Sequence, residues 1–243
     1  MKNAATWAPT KFERHRGHWR GARDARELGI GSRLMGDLVA AVYEAQLPAR
    51  ARGRLLDLGC GSAPLYGLYA PLVDEVVTVD WQGGAHVDLE ADLARPLPFP
   101  DSRFDTIVLS DVLEHVSEPA LLWREMARVL APGGEILMNV PFYYSIHAHP
   151  HDYYRYTNFA LERFAVMNGL QVLRLDALGG IVEIAADLFA KALSKAPLVG
   201  PPLAMGLQWA VGAFGRSAFG ARIARVSSRH FPFGYFMVAQ RPK

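Results

Sequence analysis

The sequence predicts an α/β protein built on a doubly wound, mostly parallel sheet. Short apolar runs that close on glycine, an acid or a small polar residue recur between residues 54 and 140, and helix-like stretches separate them. The stretch Leu55-Leu-Asp-Leu-Gly-Cys-Gly-Ser-Ala-Pro64 passes from a buried strand straight into a glycine turn. At 243 residues and 51% hydrophobic content, the chain can bury a core on both faces of such a sheet.

The elements follow in order. Arg54–Leu58 reads as a buried strand, short and closed by Gly59, and Leu65–Leu72 as a short helix. Glu75–Val79 is a second strand, ending at Asp80. Asp105–Ser110 and Glu135–Val140 are two more, the latter after the turn Ala-Pro-Gly-Gly. Between them, Glu118–Leu130 places Leu121, Leu122, Met126, Val129 and Leu130 on one helical face. Two later strands are expected near Leu170–Leu178 and Phe233–Gln240. Strands alternating with helices pack as a parallel sheet covered on both sides, and ligands bind beyond the carboxyl ends of its strands.

Composition narrows the function. A net charge of +2 is too small for a general nucleic-acid binder. Cys60 is the single cysteine, so no intrachain disulfide can form and a reducing, cytoplasmic setting is expected. The N-terminus lacks the apolar core of a signal peptide; Lys11–Glu27 is polar and basic instead.

The glycine turn and the acid at the next strand tip point to a nucleoside-containing cofactor. Glycines there permit a tight turn and close approach of a ligand to the backbone, and a carboxylate such as Asp80 can accept hydrogen bonds from two ribose hydroxyls. NAD would call for glycine at position 64, where Pro64 stands. The motifs resemble a different family. "LLDLGCGSAP", "VVTVD", "ADLARPLPFPDSRFDTIVLSDVLEHV" and "EMARVLAPGGEILMNVP" are similar, in order and spacing, to the motifs of class I S-adenosylmethionine (SAM) dependent methyltransferases of the type 11 kind. The resemblance covers about residues 50–177 and resumes in "FGYFMVAQRPK".

That resemblance implies a Rossmann-like, seven-stranded sheet and SAM as cofactor. It implies that Gly59, Cys60 and Gly61 line the methionine part, that Asp57 organises the loop, and that Asp80 with its neighbour Trp81 holds the ribose side. Asp92 would meet the adenine amino group with Leu93 beside the ring, and Ser110 and Asp111 would face the amino-acid end or the sulfonium.

The acceptor must be read elsewhere. Pro141–Thr157, "PFYYSIHAHPHDYYRYT", follows a core strand and so borders the cleft. Its ending resembles a segment of bacterial methyltransferases associated with sugar and polysaccharide modification. His151, His149 and His115 are the candidate bases, His151 first because Asp152 beside it could orient its ring. The alternative for this loop is plain packing, with Arg155 paired to an acid. Asp111, Glu114 and His115, at i, i+3 and i+4, could share a helical face and ligate a divalent cation with one of His147, His149 or His151. Some ubiquinone-pathway and small-RNA-end methyltransferases hold a cation on such a run, but "LEH" is also common in metal-free members, and no metal is assigned.

Between the last two strands the chain spends over 50 residues where the family core needs a hairpin. Gly179–Leu193 reads as an apolar helix, and Ala196–Gly215 has no charge before Arg216, Arg222, Arg225 and Arg229. Gly200-Pro201-Pro202 leaves too short an apolar run after it to cross a bilayer. A lid over the substrate, a contact of residues 196–229 with the inner face of the membrane, and a homodimer contact all stay open. The expected organisation is an N-terminal helical cap (1–50), a SAM-binding core (51–178), an apolar helical insertion (179–230) and the last core strand (231–243). The expected function is SAM-dependent O-methylation of a sugar, a lipid-linked glycan or another small metabolite. RNA methylation, or a catalytically silent SAM-binding scaffold, is the alternative.

Overall fold

The chain enters the fold through a hairpin. In the computed structural model, which describes residues 1–243, β1 (Phe12–His15) and β2 (His18–Gly21) pair antiparallel before the first long helix, α1 (Arg33–Arg50). Residues 1–50 are therefore not the helical cap expected from the sequence. The polar, charge-rich run alternates as a strand once Phe12 is buried and Arg20 pairs with Glu13 across the hairpin. In α1, Met35, Val39, Ala40, Tyr43 and Leu47 form the buried face at helical spacing.

The core follows in expected order, with one strand the sequence did not show, the two-residue β5 (Leu89–Glu90): β3 (Arg54–Leu58), α2 (Tyr66–Tyr69), β4 (Glu75–Asp80), then β5, β6 (Phe104–Ser110), α3 (Pro119–Val129) and β7 (Leu130–Pro141). Then come α4 (Asn158–Met167), β8 (Gln171–Leu178), α5 (Ile181–Leu193), α6 (Gly200–Gly215), α7 (Ala218–Ser227) and β9 (Gly234–Gln240). Seven strands form one sheet in the order β5-β4-β3-β6-β7-β9-β8, parallel except for β9, which runs antiparallel to both its neighbours.

Successive residues of β3 point to opposite cores. Leu56 and Leu58 join Trp123, Met126 and Phe104 on one face, and Leu55 joins Tyr43, Leu47 and Phe236 on the other. Both layers exclude water from an apolar strand, which is why β3 reads as a continuous apolar run. Strand order reverses beside β3, so the carboxyl ends of β3, β4 and β6 open a crevice there.

The insertion is helical, as expected, but α6 begins at Gly200 with its prolines in the first turn, where their missing N–H groups cost nothing. It packs beside the start of α1: Gln208 of α6 accepts from the Leu34 N–H and donates to the Gly31 carbonyl. No helix is long and apolar enough to cross a membrane.

Candidate active site

A cavity of about 370 Å³ sits over the carboxyl ends of β3, β4 and β6. Of the residues expected to hold a cofactor, Gly59, Asp80, Trp81, Asp92, Leu93 and Asp111 line it. Gly59 and Gly61 both have left-handed backbone, φ +69° and +53°. A Cβ at Gly59 would lie 2.5 Å from the Val112 side chain, whereas one at Gly61 would meet nothing within 4 Å. Gly59 thus serves close packing of the loop after β6, and only Gly61 leaves open space beside the backbone.

Asp80 is buried and clamps the loop: its carboxylate accepts from the Gly61 and Gln82 N–H groups at 2.8 and 3.0 Å. Each carboxylate oxygen has a further lone pair, so ribose hydroxyls can still be accepted. Asp92 caps its own turn through the Ala94 N–H at 2.8 Å and leaves an exposed carboxylate at the rim beside buried Leu93. A strand-tip acid, an apolar wall and an open glycine loop suit a nucleoside with a charged tail, so the donor set fits SAM.

Three expected residues take supporting places. Asp57 lies beneath the loop, where Tyr69 donates to it at 2.7 Å. Burial pushes its carboxyl up to about 7 against the pull of that hydrogen bond. Cys60 is buried, and burial with the nearby Asp57 pushes its thiol up, so it offers no reactive thiolate. The Ser110 hydroxyl is buried without a partner and does not reach the cavity.

The expected helical run Asp111–His115 does not form. Asp111 has φ +53°, and only Leu113–His115 make a 3-10 turn. Asp111 therefore leaves the face of Glu114 and His115, and it is held by Lys11 Nζ and Asn139 Nδ2, both at 2.6 Å. Burial alone would depress the Lys11 ammonium, but the pair with Asp111 outweighs it and the pKa is raised. Lys11 was legible only as part of a basic run; no local pattern marks it as a site residue. It arrives because the N-terminal segment crosses the glycine loop, with Trp7 Nε1 donating to the Ala63 carbonyl and Thr10 bonded to Ser62.

The loop between β7 and α4 is stitched to the loop after β6. The Tyr153 and Tyr154 N–H groups donate to the Glu114 carbonyl, and His115 Nδ1 is 2.8 Å from the His151 carbonyl. Because a carbonyl only accepts, Nδ1 of His115 carries the proton and Nε2 holds a lone pair. His147 is similar: its Nδ1 faces the Ser145 carbonyl at 3.2 Å and Asp152 at 3.3 Å. The two Nε2 atoms face each other at 3.1 Å, and Glu114 Oε1 lies 3.6 and 3.8 Å from them. Both Glu114 oxygens are buried and accept from no donor. Burial, then the neighbouring Asp111, drives the Glu114 carboxyl up, and burial, then His115, drives His147 down.

The expected bases separate. His115 lines both the cofactor cavity and a second hollow of about 190 Å³, shared with Lys11, Ser32, Tyr144 and His147. His151 lines the cofactor cavity, packed edge-on against Trp81 with Nδ1 at 3.0 Å from the Tyr153 hydroxyl. Asp152 does not orient it. Asp152 instead takes both Arg155 guanidinium nitrogens, which hold its carboxyl well below the usual range, and accepts from the His147 N–H. His149 is exposed on the loop and lines neither space. Its place in a histidine-rich run carried no information about direction, which the loop's hydrogen bonds decide.

Fold and site together define a Rossmann-like protein for a nucleoside cofactor, in the strand order of the class I methyltransferases. Residues 56–138 match the methyltransferase domain family. It is 31% identical over 140 residues to the 27-O-demethylrifamycin SV methyltransferase of Amycolatopsis mediterranei, covering 51% of this chain and 49% of that protein. It is 33% identical over 115 residues to the demethylmenaquinone methyltransferase of Renibacterium salmoninarum, covering 44% of this chain and 45% of the relative. The chain thus spans under half the length of these curated relatives. Among solved structures, a SAM-dependent methyltransferase from Mesorhizobium loti superposes with TM-score 0.55 at 17% identity, over 86% of this chain and 100% of the other. The cyclase SpnF does so with TM-score 0.57 at 20% identity, over 93% and 86%. A cyclase on this fold means that architecture alone does not fix the reaction.

Proposed function

We propose that the protein transfers a methyl group from SAM to a hydroxyl of a sugar, a lipid-linked glycan or another small metabolite. When bound, SAM supplies a methyl on a cationic sulfur, a leaving group that needs only an aligned nucleophile. Asp80 and the Gly59–Gly61 loop would hold it, with Leu93 and Trp81 on the base side and Asp111 toward the amino-acid end.

The observation that carries the reading is the position of His115 in the wall between the cofactor cavity and the second hollow, with Nδ1 tied to a backbone carbonyl and Nε2 facing His147 at 3.1 Å. An acceptor hydroxyl in the second hollow would give its proton to that Nε2 as its oxygen gains the methyl and the electron pair of the carbon–sulfur bond stays on sulfur. His147, 3.1 Å away, would share the proton. His151 is the second candidate for this role. The hollow's hydroxyl, ammonium and imidazole groups suit a polyhydroxylated acceptor.

The test is incubation with SAM and fractionated glycans and metabolites, read by mass spectrometry for the gain of one CH₂. Binding of S-adenosylhomocysteine by calorimetry separates an enzyme given the wrong acceptor from a chain that does not bind the cofactor. Binding without transfer across all fractions, RNA included, would leave the silent scaffold as the reading.

A metal-assisted form of the same transfer is the second reading, favoured by the geometry of Glu114, His115 and His147. Two imidazole lone pairs aimed at each other beside an unpartnered buried carboxylate make a three-ligand set. A tetrahedral Zn²⁺ about 2.0–2.1 Å from each nitrogen would space them about 3.3–3.4 Å apart, slightly more than the 3.1 Å between them. Retention of one Zn²⁺ or Mn²⁺ after dialysis, lost in Glu114→Gln, would select this form; chelator-resistant turnover would select proton transfer alone.

A further inference from the structure

The insertion carries an unpartnered surface whose two chemistries belong together. No acidic residue follows Asp187, while Lys191, Lys195, Arg216, Arg222, Arg225, Arg229, Arg241 and Lys243 do. Over the last 56 residues no acid is present to neutralise these cations, and Lys191 alone among them is ion-paired, to Asp187. The four arginines of the α6–α7 region are exposed, and none makes an ion pair.

Beside them lies apolar surface that the fold does not cover. Helix α6 spends one face on the protein, through Ala204 and Gln208, and turns Leu203, Met205 and Trp209 outward. Leu198 at its start is 93% exposed and Trp209 is 73% exposed, far beyond what a buried anchor or a packed helix would show. Phe189 on α5 and Phe219 on α7 are also exposed. Scattered exposed apolar residues need no explanation, but large ones repeated along consecutive helices mark an interaction surface.

We propose that this face docks on an anionic lipid bilayer, with α6 lying in the interface. Aromatic and leucine side chains on one helix and unpaired arginines on the next match the two requirements of interfacial binding, buried apolar area and attraction to acidic headgroups. A second protein chain would need acids opposite the four unpaired arginines, and a second copy of this surface brings none. Helix α5 links the docked face to the site: its Leu188 and Ile184 wall a hollow of about 410 Å³ shared with Tyr143, Tyr154 and Arg155, and Lys191 sits 3.5 Å over the Tyr144 ring. An amphiphilic acceptor resting in the bilayer could therefore enter beside α5. Docking itself does not depend on the transfer reaction.

The test is sedimentation of the full, untagged chain with vesicles of phosphatidylglycerol in phosphatidylcholine, against phosphatidylcholine alone. Each basic residue near such a surface contributes about fivefold to partitioning. Replacing Arg216, Arg222, Arg225 and Arg229 together by Gln is expected to weaken binding about 100-fold or more, and raising salt to do likewise. Trp209→Ser is expected to weaken it by at least tenfold at unchanged charge. Calorimetric binding of S-adenosylhomocysteine by each variant certifies its fold. Three outcomes would overturn the proposal: no sedimentation with anionic vesicles, sedimentation indifferent to the four arginines, or a dimer in solution that Trp209→Ser dissolves.

Discussion

The two walls of the active site are built in opposite ways. The cofactor wall is local: Asp57, Gly59, Gly61 and Asp80 come from one strand–turn–helix–strand unit, and backbone N–H groups of that unit satisfy its acid. The wall proposed for the acceptor is assembled from four remote segments: Lys11, residues 28–39 leading into α1, the Asp111–His115 turn, and the loop carrying Tyr144 and His147. A local wall is set by short-range geometry that any member of the fold must satisfy, so it specifies what every member binds. A wall of distant side chains is free to vary, and there the chemistry of the individual protein resides.

The largest expected effect tests how strained the cofactor wall is. Asp57 is held at about 7 by burial, against an ordinary 3.8. Its protonated form belongs to the folded state, so its contribution is present in full below pH 4 and is lost as pH rises through 7. The difference is worth up to about 4 kcal/mol. Asp57→Asn keeps an acceptor for Tyr69 and removes the charge; ligand-free protein is expected to melt several degrees higher at pH 8, with the gain vanishing near pH 4. Superimposable melting curves at pH 8 would show that Asp57 carries no buried charge.

The glycines sharpen the same wall. Gly59→Ala incurs both the left-handed backbone and the overlap with Val112, about 2–4 kcal/mol in all. Gly61→Ala incurs the backbone cost alone, about 1–2 kcal/mol. Denaturant unfolding of the two variants gives that difference directly, and equal losses would mean that Val112 yields freely.

Crossing to the acceptor wall, His115→Asn is expected to lower turnover about 100-fold while S-adenosylhomocysteine binding stays within twofold. His151→Asn should cost less. If the two swap, the base lies on the Trp81 side and the second hollow is not the acceptor's. Asp80→Ala should do the converse, weakening cofactor binding by tenfold or more through the loss of charge-assisted hydrogen bonds worth about 1.5–3 kcal/mol. Unchanged calorimetric affinity in that variant would remove Asp80 from the ribose site.

The sequence by itself determined the α/β class, six of the seven sheet strands in chain order, and the glycines and acids from which a cofactor site was expected. Those depend on short apolar runs, on helical patterning and on glycines and acids at consecutive strand ends, all of which act within a local segment. It also marked the apolar, arginine-flanked insertion, because composition survives without coordinates. Only the tertiary structure decided what distance along the chain hides. Phe12 found a buried place that turned a charged run into a hairpin, and a left-handed Asp111 broke the expected helical face and passed its carboxylate to Lys11. Asp152 went to Arg155 and His147 instead of the adjacent His151, and His149 turned to solvent. Side-chain direction in a loop follows from which carbonyls and N–H groups the fold brings opposite it, and no spacing rule contains that information.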